Sequence, residues 1–250
     1  MGVVENTYSF IFKNVLKAVN PIKKKIIKTE CKVHKFINNQ AVEILKNDKH
    51  KKAYNLVNKY INDINAGVVW ADQDFKSSNH FYNPEINKGM YGCSNALLEC
   101  RRYYSHAINM YKKGDIKKAM FYLGASCHLI QDLTVPQHVN INLLNEHRQY
   151  EQWVVRTYNE HENFKISNGG IYFNTIGEYV KLNVKTATDT YKRYHSIKDR
   201  NQRYYKITSI ILTMAQKTTA GLFMKFYRDI KKIAPIKNNK KHRKYSLKIL

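Results

Sequence analysis

Residues 115–140 read DIKKAMFYLGASCHLIQDLTVPQHVN, and the fold is decided here. Gly114 followed by Asp115 predicts the end of one helix and the N-cap of the next. From Asp115 to about Thr134 the apolar residues keep helical spacing, and Pro136 stops the run. Ala119–Gln131 and Leu133–Asn145 are each free of Asp, Glu, Lys and Arg over 13 residues. A membrane-spanning helix needs about 20 predominantly apolar residues, so no spanning helix is expected. The same stretch carries chemistry. His128 and Asp132 lie four apart, hence on one helical face, and His138 follows Pro136 by two residues. His147 and Glu151 are again four apart at the start of the next helix. Two facing helices that each offer an imidazole and a carboxylate suit one or more zinc ions.

Working outward, helical spacing recurs at residues 36–47 and at 51–64, the second closed by Gly67. Residues 67–92 are rich in Asn, Asp, Ser and Gly with Pro84, and read as an irregular loop. Further helices are expected at Asn95–Lys112, at Glu146–Asn159 and, beyond a Gly-Gly turn, near 173–196 and 200–232. Only 4 Pro and 10 Gly occur in 250 residues, which argues against a turn-dense sandwich or barrel. There is no internal repeat and no linker between two cores. The expectation is an all-α protein: a single compact multi-helix domain over 1–250, with a metal cluster in a cleft between helices. A basic N-terminal extension covers about 1–30 and a basic tail about 233–250.

Composition sets further bounds. With 43% hydrophobic and 12% aromatic residues the chain is too rich in core formers to be disordered. Lys and Arg number 43 against 19 Asp and Glu, a net charge of +24. That excess fits nucleic acid, an anionic membrane surface or phosphorylated substrates, or simply a Lys-rich surface, and does not choose among them. Residues 11–29 hold six Lys and no acid, and 230–250 hold eight Lys or Arg and no acid. Cys31, Cys93, Cys100 and Cys127 form no C-x-x-C pair and no disulfide framework; Cys93 and Cys100, seven apart, read as small core residues on one helical face. Glu5 stands where a secretory signal would be basic, so the expected place is cytoplasmic or peripheral to a membrane, as a monomer.

The loop WADQDFKSSNHFYNP (70–84) supplies Asp72, Asp74 and His80, and His34 precedes an amphipathic helix. Counting His34, Asp72 and His80 with the central residues gives five His and three acids, enough for a cluster of metals rather than one.

The run HLIQDLTVPQHVN (128–140) resembles the H-x-x-x-D-x-x-x-P-x-H-x-N signature of bacterial zinc-dependent phospholipases C. CKVHKFINNQAVEILKND (31–48), NHFYNP (79–84), DIKKAMFYLGASCHLIQD (115–132) and HRQYE (147–151) look like corresponding family segments in the same order. The resemblance implies two or three zinc ions. Asp72, His80, His128 and Asp132 would hold one; His138, His147 and Glu151 a second; His34 would help hold a third, bridged by Asp132. Asp72 is the implied general base, with Glu151 its rival, and Asp74 or Asn140 would orient imidazoles. The implied reaction is phospholipid hydrolysis at an anionic membrane surface, giving diacylglycerol and a phosphorylated headgroup.

The chain departs from the family pattern in places. Family members carry an N-terminal Trp shortly before the first His, whereas the only Trp residues here are Trp70 and Trp153. Cys31, three residues before His34, is a candidate replacement donor for the third site. Gln73 and Ser77 stand where choline-recognising residues would be expected, and no lipid-binding β-sandwich of the toxin branch is expected within these 250 residues. Two alternatives stay open: a single-strand-specific zinc nuclease of the same superfamily, and a non-catalytic lipid- or anion-binding homologue with an incomplete metal site.

Overall fold

In the computed structural model the described residues are 31–73, 95–140 and 144–233. They form nine α-helices and no strand: α1 Lys32–Asn47, α2 Lys51–Lys59, α3 Ile61–Ala71, α4 Ala96–Lys112, α5 Ile116–Asp132, α6 Pro136–Val139, α7 Leu144–Thr157, α8 Ile176–Tyr194 and α9 Arg200–Lys231, with a 3-10 turn at Glu162–Phe164. The basic extension and tail expected at the two ends lie outside the described residues, as does Cys93.

Helix α5 is the central element. Every residue from Leu123 to Asp132 is buried, because α3, α4 and α9 pack around it. A helix enclosed on all sides needs small or apolar residues all round, which the charge-free run supplies. Its start follows the sequence expectation: Gly114 has φ +81° and the Asp115 side chain accepts from the Lys118 N–H at 3.1 Å. Asn95, Thr175 and Asp199 cap α4, α8 and α9 in the same way, with a full capping box at Thr175 and Glu178.

Three expectations are corrected. The 51–64 pattern is two helices, because Tyr60 takes non-helical backbone angles (φ −116°, ψ 21°) between α2 and α3. Gly67 does not end a helix; α3 continues through it to Ala71, so Asp72 sits at a helix C-terminus and not in an irregular loop. A Cβ on Gly67 would lie 1.8 Å from the Phe121 carbonyl oxygen, and one on Gly124 would lie 2.0 Å from that of Ile64. The two glycines let the backbones of α3 and α5 touch. Pro136, finally, does more than end α5: it is the first residue of the one-turn helix α6, where its missing N–H costs nothing.

A second apolar cluster seats α7. Tyr150, Trp153 and Val154 pack with Tyr204, Ile207 and Ile211 of α9 and Ile37 of α1, and the Tyr150 hydroxyl meets Thr208 Oγ1 at 2.8 Å. After α1, the Asp48 carboxylate accepts from the Gly169 and Gly170 N–H groups (2.9 and 2.8 Å) and from the Tyr172 hydroxyl. Burial alone would raise this acid, but those donors outweigh it and hold Asp48 below the usual carboxylate range. Among the described residues no helix is long and apolar enough to cross a membrane.

Two stability measurements follow. Gly124→Ala forces a methyl into backbone that cannot yield, and is expected to cost about 1–3 kcal/mol or more by urea unfolding. Asp48 is depressed in the folded state, so its contribution is present above the unfolded pKa of about 4 and is lost as pH falls through the folded value. Asp48→Asn should therefore lower the melting temperature at pH 7 while flattening its fall below pH 4; an unchanged acid limb would contradict this.

Candidate metal centre

Five elements bring their ends together. His34 lies in the first turn of α1, Asp72 caps α3, His128 and Asp132 occupy the last turns of α5, His138 sits in α6, and His147 and Glu151 share a face of α7. Helical periodicity explains the two i, i+4 pairs; the crossing of α3 over α5 brings in Asp72.

The donor atoms form two groups, each with its atoms within 4.8 Å of one another: His34, His128 and Asp132, and His138, His147 and Glu151. In the first, Asp132 Oδ1 is 3.4 Å from His34 Nε2 and Oδ2 is 3.2 Å from His128 Nε2. In the second, His147 Nε2 is 2.8 Å from Glu151 Oε1 and 3.0 Å from His138 Nε2, which is itself 3.7 Å from Glu151 Oε1. Asp132 Oδ2 also lies 4.0 Å from His138 Nδ1, so one carboxylate stands between the two groups.

These separations fit zinc. Tetrahedral coordination with bonds of 2.0–2.2 Å places ligand atoms roughly 3.3 Å apart, close to the observed spacings, and nitrogen with carboxylate oxygen is a zinc donor set. The paired rings, with centroids 4.3 Å apart for His34 and His128 and 4.6 Å for His138 and His147, would repel strongly if all were protonated. Burial, aided by His128, lowers the pKa of His34 and favours the neutral imidazole that a metal requires. Burial would raise Glu151 and lower His147, yet the hydrogen bonds from His138 and His147 to Glu151 and the charge between them prevail, so the acid is held low and the His147 imidazole high. The groups differ in access: the Asp132 side chain is 6% exposed and the Glu151 side chain 53%. Asp132 is enclosed, whereas the second group opens to solvent through Glu151.

His34 stands beside His128 and Asp132, and Asp132 turns one oxygen toward each imidazole, a geometry open to a carboxylate that bridges two ions. Asp72 belongs to neither group, with Oδ1 3.9 Å from His128 Nε2. Its Oδ2 accepts from the Cys31 thiol at 3.2 Å, so the candidate replacement donor does reach the edge of the centre. Burial first, and the Asp72 charge second, push the Cys31 pKa up. His80 and Asp74 lie outside the described residues, and Asn140 is exposed. Sequence reasoning missed Gln131, whose Oε1 meets His34 Nδ1 at 2.8 Å. Its partners are distant in sequence, so no spacing rule signals them.

An all-helical domain that gathers two imidazole–carboxylate donor groups between its helices is a metal-dependent protein of the zinc type. The model of the family described as zinc dependent phospholipase C matches residues 33–216, and the chain belongs to that family. It is 24% identical to a phospholipase C of Clostridium novyi over 83% of this chain and 61% of the relative, and 28% identical to one of Bacillus cereus over 58% and 55%. The chain thus spans less than two thirds of these relatives' length. The solved alpha toxin of Clostridium absonum shares the fold, with TM-score 0.71 and 20% identity over 82% of this chain and 65% of that one.

Isosteric substitutions that remove one carboxylate charge should separate the two groups. Asp132→Asn is expected to weaken zinc at the enclosed group by at least about 10–100-fold, whereas Glu151→Gln should weaken only the group on α6 and α7. Zinc per chain after dialysis against graded chelator reads both; a uniform loss in either variant would contradict two distinct groups.

Proposed function

We propose that this chain is a zinc-dependent phosphodiester hydrolase acting on phospholipid as a phospholipase C. Water adds to phosphorus, the bond from phosphorus to the diacylglycerol oxygen breaks, and that oxygen takes a proton. The products are diacylglycerol and a phosphorylated headgroup. The observation that carries this is the pair of donor groups around Asp132, one enclosed and one open through Glu151.

The residues divide the work as follows. His34, His128 and Asp132 would hold one zinc, and His138, His147 and Glu151 another, with Asp72 and His80 as further expected ligands. Bound zinc supplies Lewis acidity and positive charge toward the nonbridging phosphate oxygens. Both oxygens of Asp132 face imidazoles, and Glu151 Oε1 is engaged by His147 and His138, which makes each an anchor. Asp72 has one oxygen taken by the Cys31 thiol and is otherwise part-exposed, so it is the better placed to accept the proton of the attacking water. The excess of 43 basic over 19 acidic residues favours approach to an anionic membrane surface.

Zinc-loaded protein should release diacylglycerol from mixed phospholipid vesicles, and His138→Ala should lower the rate by at least about 100-fold. Assay beside single-stranded DNA completes the test. Nucleotide release without diacylglycerol would replace this function with a nuclease, and neither product from zinc-replete protein would leave a non-catalytic binder.

A further inference from the structure

Gln131 sits one residue before Asp132 and points to the opposite side of the centre. Its Oε1 meets His34 Nδ1 at 2.8 Å, and its Nε2 donates to Asn38 Oδ1 at 2.9 Å and to Thr219 Oγ1 at 3.0 Å. Asn38 Nδ2 in turn donates to Asn65 Oδ1 at 2.9 Å. Gln131, Asn38 and Thr219 are all 1% exposed or less. One amide therefore links α1, α5 and α9, and reaches α3 through Asn38.

An amide chain of this kind has two self-consistent polarities, related by flipping every amide together. In one, Gln131 presents oxygen to His34; in the other, nitrogen. A cation at Nε2 of a neutral His34 leaves the ring proton on Nδ1, which needs an acceptor. Only the first polarity provides one, and it is the polarity seen. The other oxygens then fall into place: Asn38 Oδ1 and Thr219 Oγ1 accept from Gln131, and Asn65 Oδ1 accepts from Asn38.

From this we propose that Gln131 is a positioning residue for the enclosed metal site: it fixes the Nδ1–H tautomer and the ring orientation of His34, so that Nε2 faces the ion held with His128 and Asp132. The proposal rests on the zinc assignment above. It makes zinc binding and the amide network mutually supportive, since each selects the arrangement the other requires.

Chelator competition and the visible spectrum of the cobalt-substituted protein test it without recourse to activity. Gln131→Met is expected to weaken zinc at the His34 group roughly 10- to 100-fold and shift the cobalt bands, while the ion on His138, His147 and Glu151 stays. Gln131→Glu, which keeps an acceptor on Nδ1–H, should recover most of that affinity. Thr219→Val, which removes only a bond between helices, should lower stability and leave zinc affinity within about twofold. Should Gln131→Met not fold, the ring nitrogen shifts of His34 in the zinc-loaded parent decide directly, with the proton expected on Nδ1. A proton on Nε2, unchanged zinc affinity in folded Gln131→Met, or an equal loss in Thr219→Val would each overturn the role. A parent that binds no zinc would overturn the metal assignment itself, an outcome visible before any variant is made.

Discussion

Asp132 places an almost fully enclosed carboxylate 3.4, 3.2 and 4.0 Å from imidazole nitrogens of His34, His128 and His138, on the last residue of a helix that is otherwise core. Such a group is expensive. Effective desolvation of a buried ion costs several kcal/mol, and the C-terminus of α5 presents the negative end of the helix dipole, which disfavours a carboxylate further. Histidine alone offsets this poorly, because protonating three clustered rings sets cation against cation. A divalent ion resolves both problems at once: it neutralises the carboxylate and lets every imidazole stay neutral. The surrounding helices can be understood as the means of holding this otherwise unfavourable group in place.

The means are geometric. Asp72 reaches the edge of the centre only because α3 crosses α5 at backbone contact, which needs glycine at both 67 and 124. His138 reaches it because α6 begins immediately after α5 with Pro136 preset for its first turn. His147 and Glu151 reach it because Tyr150, Trp153 and Val154 lock α7 into the aromatic cluster on α9. The apolar core and the polar centre thus share elements, and α5 carries both on one helix. A change at the α3–α5 crossing would displace ligands as well as weaken packing.

Much of this was legible in the sequence. The helical run through 115–134, the cap at Asp115, and the two i, i+4 pairs all follow from local residue types and periodicity, which a chain reports directly. What was not legible depends on contacts between distant segments. Gly67 looks like a helix terminator until α5 is placed beside it, and then it is the one residue small enough to stay. The break at Tyr60 leaves no Gly or Pro to announce it. The nearness of His34 to Asp132 came from the family resemblance and not from spacing, since the two lie on different helices. Gln131 is the clearest case: in sequence it is one polar residue in an apolar run, and its partners lie 88, 93 and 97 positions away.

The balance of charge at the centre argues for what it meets. Each donor group supplies two neutral imidazoles and one carboxylate, so a divalent ion in either keeps a formal excess of one positive charge. Closed structural sites commonly cancel the ion with thiolates; these do not. Asp72 lies beside the enclosed group and offsets part of its excess, whereas the open group has only the shared Asp132, 4.0 Å from His138 Nδ1, and faces solvent through a half-exposed Glu151. An unspent positive charge at a solvent-facing position is stabilised by an anion of matching charge, and a phosphodiester carries one negative charge. With 19 acids in 250 residues the chain has few carboxylates to dispose, and among the described residues Asp72 and Asp132 lie nearer the enclosed group than the open one. The +24 of the whole molecule has the same sign as the local excess and acts at long range in favour of anionic partners.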